Sequence, residues 1–104
     1  MNVRFSSRSW AEYLDLKDHD AKLFDKLNGL IEECRRHPFK GTGKPEPLSG
    51  NLSGWWSRRI SHEHRLVYRV VGSGTDQMLE VAQCRYHYRC DCPNHSAVVD
   101  NKVL

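Results

Sequence analysis

No stretch of this 104-residue chain approaches the roughly 18 consecutive apolar residues that a membrane-spanning helix needs. The N-terminus, Met1-Asn2-Val3-Arg4-Phe5, lacks the basic-then-apolar order of a secretory signal, so a cytoplasmic protein with no membrane association is expected. The length allows one core and is too short for two. Hydrophobic residues make up only 38% of the chain and the mean hydropathy is -0.70, which describes a polar globular domain. The four cysteines do not point to a disulfide framework or a metal site. Cys34 and Cys84 fall at apolar positions of a helix and a strand, where a reduced, buried thiol is the ordinary state. Cys90-x-Cys92 with His95 has no second ligand pair at finger-like spacing, so neither a metal nor a cofactor is expected.

The chain does contain a segregated positive charge. Residues 1–34 hold five Lys/Arg and seven Asp/Glu (net -2), residues 35–89 hold ten and four (net +6), and residues 90–104 hold one and two (net -1). A basic segment of this kind fits a polyanionic partner. Five of the six histidines follow residue 36, which makes the second part of the chain more cationic still as pH falls.

The residue pattern predicts an α+β fold in which two N-terminal helices pack on a twisted, mainly antiparallel sheet of about four strands. Val3-Arg4-Phe5 alternates as a short strand. Ser9-Trp10-Ala11-Glu12 fits a capping box, which starts a first helix over Trp10 to about Asp18 with Trp10, Tyr13 and Leu14 turned to the core. Asp20 caps a longer second helix whose stripe is Leu23, Phe24, Leu27, Leu30, Ile31 and Cys34. Arg35 and Arg36 suit its C-terminal dipole, and Pro38 stops it. From Phe39 to Gly54, glycines and prolines predict an irregular loop, in which Glu46 stands between Pro45 and Pro47 with few conformations open to it. Trp56 to Ile60 and Arg65 to Val70 then form an antiparallel hairpin across Ser61–His64. Leu66, Tyr68 and Val70 face the helices, and Arg65, Val67 and Arg69 face away. A further strand ends at Cys84-Arg85-Tyr86-His87-Tyr88, with Ala82, Cys84 and Tyr86 inward and Gln83, Arg85 and His87 outward. Leu79, Glu80 and Val81 break that alternation, which points to a bulge or an edge position.

Cations on one sheet face, with a rigidly flanked carboxylate beside them, meet the needs of metal-independent RNA cleavage. One group must remove the 2′-hydroxyl proton, a second must protonate the leaving 5′-oxygen, and cations must stabilise the phosphorane. Glu46 suits the base, His87 the acid and Arg65 the clamp, with Arg59 as a second clamp. Lys44, Arg58, Arg59 and Arg85 complete an RNA-binding surface. Trp55, Trp56, Tyr86 and Tyr88 are interleaved with the cations and suit base stacking.

The motifs Arg35-Arg36-His37-Pro38-Phe39-Lys40-Gly41-Thr42-Gly43-Lys44-Pro45-Glu46-Pro47-Leu48, Asn51-Leu52-Ser53-Gly54-Trp55-Trp56-Ser57-Arg58-Arg59-Ile60, His64-Arg65-Leu66-Val67-Tyr68 and Cys84-Arg85-Tyr86-His87-Tyr88 resemble the YoeB toxins. These are the messenger-RNA-cleaving members of type II toxin–antitoxin pairs, within the RelE group. The resemblance covers residues 1–88 collinearly and implies a microbial-ribonuclease-like fold and ribosome-dependent cutting in the decoding A site. The catalytic set it implies is Glu46, Arg65, His87 and Tyr88, the tyrosine orienting the substrate. The partners it implies are a YefM-like antitoxin, the 70S ribosome with its messenger RNA and a second copy of the chain, with operator DNA reached only through the antitoxin. Residues 89–104 depart from the family pattern, in which the chain stops at the tyrosine matching Tyr88. They stand as a disordered tail, a natural extension or cloning read-through. The competing readings are a free ribonuclease and a non-catalytic module that binds antitoxin and regulates DNA.

Overall fold

The computed structural model describes residues 1–85. Strand β1 (Asn2–Phe5) leads into helices α1 (Ser7–His19) and α2 (Ala21–Arg36). Then come β2 (Glu46–Pro47), β3 (Trp56–Arg59), β4 (Arg65–Val71) and β5 (Met78–Gln83), with single 3-10 turns at Gly50–Leu52 and Gly74–Asp76. The sheet has five strands in the order β1-β5-β4-β3-β2, one more than the sequence pattern suggested. The hairpins β3–β4 and β4–β5 and the pair β2–β3 are antiparallel, while β1 runs parallel to β5 after the long crossover through the rest of the chain. No helix among the described residues is long and apolar enough to cross a membrane.

The helices differ in how they begin. The cap of α1 is Ser6, whose hydroxyl accepts from the Ser9 amide, so the expected box starting at Ser9 is displaced by three residues. Ser9 is inside the helix and buried, and its hydroxyl donates to the Val81 carbonyl at 2.7 Å, fastening α1 to β5. Glu12 serves no cap. Its carboxylate accepts from the Cys84 amide at 3.0 Å and pairs with Arg8. Trp10 and Leu14, expected in the core, are 48% and 38% exposed, because Ser9 and Leu16 turn inward instead. Helix α2 follows its pattern: the Asp20 side chain caps Leu23, and Leu27, Leu30, Ile31 and Cys34 are buried.

The main core joins this stripe to Ile60, Leu66, Tyr68, Leu79, Val81 and Cys84 of the sheet. A second, smaller cluster lies on the opposite face, where Leu48, Val67 and Ala82 are buried with Leu52 and Trp55 against them. The bulge is real. Val67 pairs with Gln83 but Tyr68 pairs with Val81, so Ala82 is the extra residue. Ala82 therefore joins the second cluster rather than the main core, and Cys84 returns to the helix side as expected.

One core residue is a cation. Arg58 is fully buried, and its guanidinium donates to the Tyr68 hydroxyl at 3.1 Å and to the carbonyls of His37, Lys40 and Thr42. Tyr68 in turn donates to the Pro38 carbonyl at 2.5 Å. Removing a buried charged partner and leaving these acceptors unmet costs about 3–5 kcal/mol, whereas a surface substitution stays within about 0.5 kcal/mol. Urea unfolding of Arg58→Ala and of its exposed neighbour Arg59→Ala should therefore differ by several kcal/mol in that direction. Equal, small losses would refute the buried role of Arg58.

Candidate active site

The segment leaving α2 is shaped by what Arg58 binds. Three of its carbonyls converge on that guanidinium, and Glu33 of α2 accepts from the Thr42 amide at 2.9 Å while lying 3.7 Å from Arg58. The hydrogen bond from Thr42, aided by the Arg58 charge, holds the Glu33 carboxyl below its usual range. Gly43 has φ +86 and passes so close to β3 that a Cβ there would stand 3.0 Å from the Arg59 carbonyl oxygen. The Arg59 amide donates to the Gly43 carbonyl at 2.7 Å. Lys44 follows with φ 51, the only non-glycine residue of positive φ among the described residues. Holding a lysine there costs on the order of 1 kcal/mol, and it turns the chain so that Glu46 enters the sheet.

Glu46 thus lies on an edge strand, not in the irregular loop expected, and stands opposite Ser57 of β3. The register carries this row onward through Val67 of β4 to Gln83 of β5, so all four share the face turned away from the helices. In the next row Arg59 stands opposite Arg65. With strands about 4.8 Å apart and rows about 7 Å apart, the Cα atoms of Glu46 and Arg65 lie roughly 12 Å from each other. Their long side chains can converge on a group placed between them.

Arg65 is anchored as well as placed. Its Nη1 donates to the carbonyls of Ser61, His62 and His64 at 2.9 to 3.3 Å, which leaves Nε and Nη2 with no partner among the described residues. Lys44, Glu46 and Arg59 are all exposed. Beneath them Leu48, Val67 and Ala82 form an apolar floor. An exposed carboxylate at one margin, and a guanidinium held by main-chain oxygens at the other, can take a proton from a hydroxyl and hold an anion on one surface.

Four of the expected site residues, Lys44, Glu46, Arg59 and Arg65, are therefore brought together. Two are not. Arg58 is in the core and cannot touch RNA, because every nitrogen of its guanidinium is turned inward to protein acceptors. Arg85 forms an ion pair with Asp15 of α1 instead of joining the row of Arg65. His87 and Tyr88 lie outside the described residues, as do Tyr86, Cys90, Cys92 and His95. Sequence reasoning also missed Glu33 as the support of the loop. Its only signal was a carboxylate at the end of α2 nearest the glycines. Among the described residues no group of three or more His, Cys, Asp or Glu is arranged to hold a metal ion.

Comparison with known proteins shows the family of the chain. Residues 5–88 match the family model described as YoeB-like toxin of bacterial type II toxin–antitoxin system. The chain is similar to toxin YoeB of Escherichia coli K12, with 53% identity over 88 residues that cover 85% of this chain and 100% of that one. A YoeB/ParE toxin from Agrobacterium tumefaciens superposes with a TM-score of 0.83 at 52% identity, covering 85% of this chain and 100% of that one. A YoeB–YefM complex from Staphylococcus aureus matches with a TM-score of 0.75 at 40% identity, covering 85% of this chain and 98% of that one. The same organism's YoeB dimer matches with a TM-score of 0.76 at 42% identity and the same coverage.

The lowered Glu33 pKa fixes the sign of a pH effect on the loop. A carboxyl depressed by folding contributes stability that is fully present above its ordinary value of 4.5 and is lost as pH falls through the lower folded-state value. The Thr42 amide should keep a constant hydrogen-exchange protection factor above that ordinary value and lose protection below it. In Glu33→Gln the protection should be weaker and flat with pH. An unchanged profile in the variant would show that Glu33 does not hold the loop.

Proposed function

Because the chain belongs to the YoeB-like toxins of bacterial type II toxin–antitoxin systems, we propose that it is an endoribonuclease that cuts messenger RNA in the decoding A site of the 70S ribosome. The observation that carries this reading is the placement of Glu46 and Arg65 on one open sheet face, two strands and one row apart. Glu46 removes the proton from a ribose 2′-hydroxyl, whose oxygen attacks the adjacent phosphorus. Arg65, with Arg59 and Lys44 beside it, stabilises the added negative charge of the phosphorane. His87 gives its proton to the departing 5′-oxygen, and Tyr88 orients the substrate. The products are a 2′,3′-cyclic phosphate and a 5′-hydroxyl, with no metal taking part.

The same basic face suits a YefM-like antitoxin. The Staphylococcus aureus relative is known in a YoeB–YefM complex and as a dimer, which supports both partners for this chain. An acidic antitoxin segment that folds on binding would complement the net +6 of residues 35–89 and cover the catalytic row. Operator DNA is then reached through the antitoxin. The toxin acts in the cytoplasm, where ribosomes are, and its domain comprises residues 1–88, with residues 89–104 an extension to it.

Primer extension on a messenger RNA, with and without 70S ribosomes, tests the reading. The protein should cut only with ribosomes and at A-site codons. Glu46→Gln and His87→Gln should each lower the rate by about 10²–10⁴, the usual worth of a general base or acid. Equal cutting of naked RNA would replace the ribosome-dependent enzyme by a free ribonuclease. Failure to cut by both the full chain and residues 1–88 would leave an antitoxin-binding module without catalysis.

A further inference from the structure

On the same open face, but at the other end of β4, a second constellation lies outside the catalytic set. Arg4 of β1, Glu80 of β5 and Arg69 of β4 stand side by side in register. Glu80 is shared between the two arginines, one oxygen bound by Arg4 and the other by Nε of Arg69 at 2.7 Å. The guanidinium of Arg69 lies over the Trp55 indole, 4.5 Å from the ring centroid. Glu80 and Trp55 thus fix Arg69 in a single pose. The side chains of Arg69 and Arg4 are nevertheless 43% and 60% exposed. Around them is an open cleft of about 410 Å³, lined by Arg4, Phe5, Trp55, Arg69, Glu80 and Ala82. That size falls in the range of small-ligand sites.

We propose that this cleft is a nucleotide subsite of the RNA-cleaving face, in which a base of the substrate strand stacks on the outer plane of Arg69 and Arg4 takes a neighbouring phosphate. The inference rests on the ribonuclease reading given above. Four features point to single-stranded RNA. A guanidinium backed by an indole is a flat, cationic platform, and unstacked bases pack on arginine planes and aromatic rings alike. The two arginines outnumber the one carboxylate, so the trio keeps a positive charge toward a phosphodiester. Arg69 lies four residues from Arg65 on one strand and one face, about 13 Å away, so a single RNA strand crossing the sheet meets both. Glu80 holds Arg69 back from the catalytic row, and the subsite therefore serves a flanking nucleotide and leaves the reacting phosphate to Arg65. A free surface ion pair would not need the indole beneath it, and an acidic protein segment would gain charge from the arginines but nothing from the stacking plane.

The test uses the full chain in a His87→Gln background, which prevents cleavage, and a fluorescein-labelled single-stranded RNA 12-mer, with affinity read by anisotropy across a salt series. Arg69→Ala should weaken binding on the order of tenfold with little change in the slope of log K against log salt, because it removes a stacking contact and no phosphate contact. Arg69→Lys keeps the charge and should keep the slope while still losing several-fold in affinity. Arg4→Ala should reduce the slope by about 0.7, the value for one lost single-strand phosphate contact, and weaken binding at low salt. In a set of 12-mers each lacking one base, a single position should cost affinity in the parent and nothing further in Arg69→Ala. Arg65→Ala is the control for the face as a whole. If it weakens binding while all three Arg4 and Arg69 variants bind as the parent does, the subsite is refuted and the RNA face stands. If no variant, Arg65→Ala included, changes the affinity, the RNA face itself fails and the subsite with it. If the Arg69 variants bind RNA normally but lose affinity for a YefM-like antitoxin, the cleft is a protein-binding site and the proposal is overturned. Unchanged melting temperatures of these surface variants keep each outcome readable.

Discussion

A guanidinium in the core decides where the rest of this structure can go. A buried cation is tolerated only when its donors are satisfied, because desolvating an unpaired charge costs far more than a domain of this size can absorb. Arg58 meets that demand with the Tyr68 hydroxyl and the carbonyls of His37, Lys40 and Thr42, and with Glu33 close by. Those three carbonyls belong to a segment with no regular secondary structure of its own. The core cation therefore acts as the missing hydrogen-bond partner for a loop, and the loop's path follows from the need to reach it. Gly43 and Lys44, in left-handed conformations, complete the path, and Glu46 arrives beside Ser57 as its consequence. Burial raises the pKa of Tyr68 to about 12 and that of Cys34 to about 11, so both stay protonated and the one charged partner of the cation is the Glu33 carboxylate.

The second constraint is that the sheet is covered on both faces, unequally. Helices close one face over a large core, while the other has only Leu48, Val67 and Ala82 with the flanking Leu52 and Trp55. A small apolar floor of this kind leaves the row ends free for polar side chains, and there the register sets Glu46, Arg59 and Arg65 at one end and Arg4, Glu80 and Arg69 at the other. The bulge at Ala82 matters to this arrangement. It adds one residue to β5, so that Gln83 remains on the open face beside Val67 while Cys84 returns to the core.

How much of this was legible in the sequence depended on whether a residue's neighbours or its own chemistry set its position. The stripe of α2, the hairpins and the inward faces of Leu66 and Tyr68 follow from periodicity alone, since apolar burial dominates there. Arg58 shows the opposite case. It alternates with Trp56 and Ile60, both packed into the main core, so the period already placed it inward. Its charge suggested a surface role, and only the convergence of distant carbonyls, invisible in sequence, reverses that expectation. Strand β2 was hidden for a different reason. Two residues between prolines carry no periodic signal, and the strand exists because β3 offers it an edge. Trp10 was placed in the core on helical spacing, but a one-turn shift of the cap to Ser6 rotates attention to Ser9 and Leu16. The roles of His87 and Tyr88 came from chemical type and from resemblance, with no described geometry behind them.

The polar segregation along the chain becomes a segregation in space. The acidic excess of residues 1–34 is carried mainly by α1 and α2, behind the sheet, whereas Arg59, Arg65 and Arg69 of the basic segment stand on the open face. A molecule charged in this way is oriented by a polyanion before contact, with its working face forward, over the roughly 8 Å that screening allows at physiological salt. Two carboxylates survive within the cationic face, and they differ in how they are held. Glu80 is clamped between two arginines, which keep its pKa low and its charge neutralised. Glu46 stands exposed on a two-residue edge strand, opposite the small, neutral Ser57. A carboxylate locked to arginine has its lone pairs occupied and cannot take up a proton readily. The one that lies open, on a rigid backbone and within reach of a guanidinium anchored elsewhere, is the one that can act as a base.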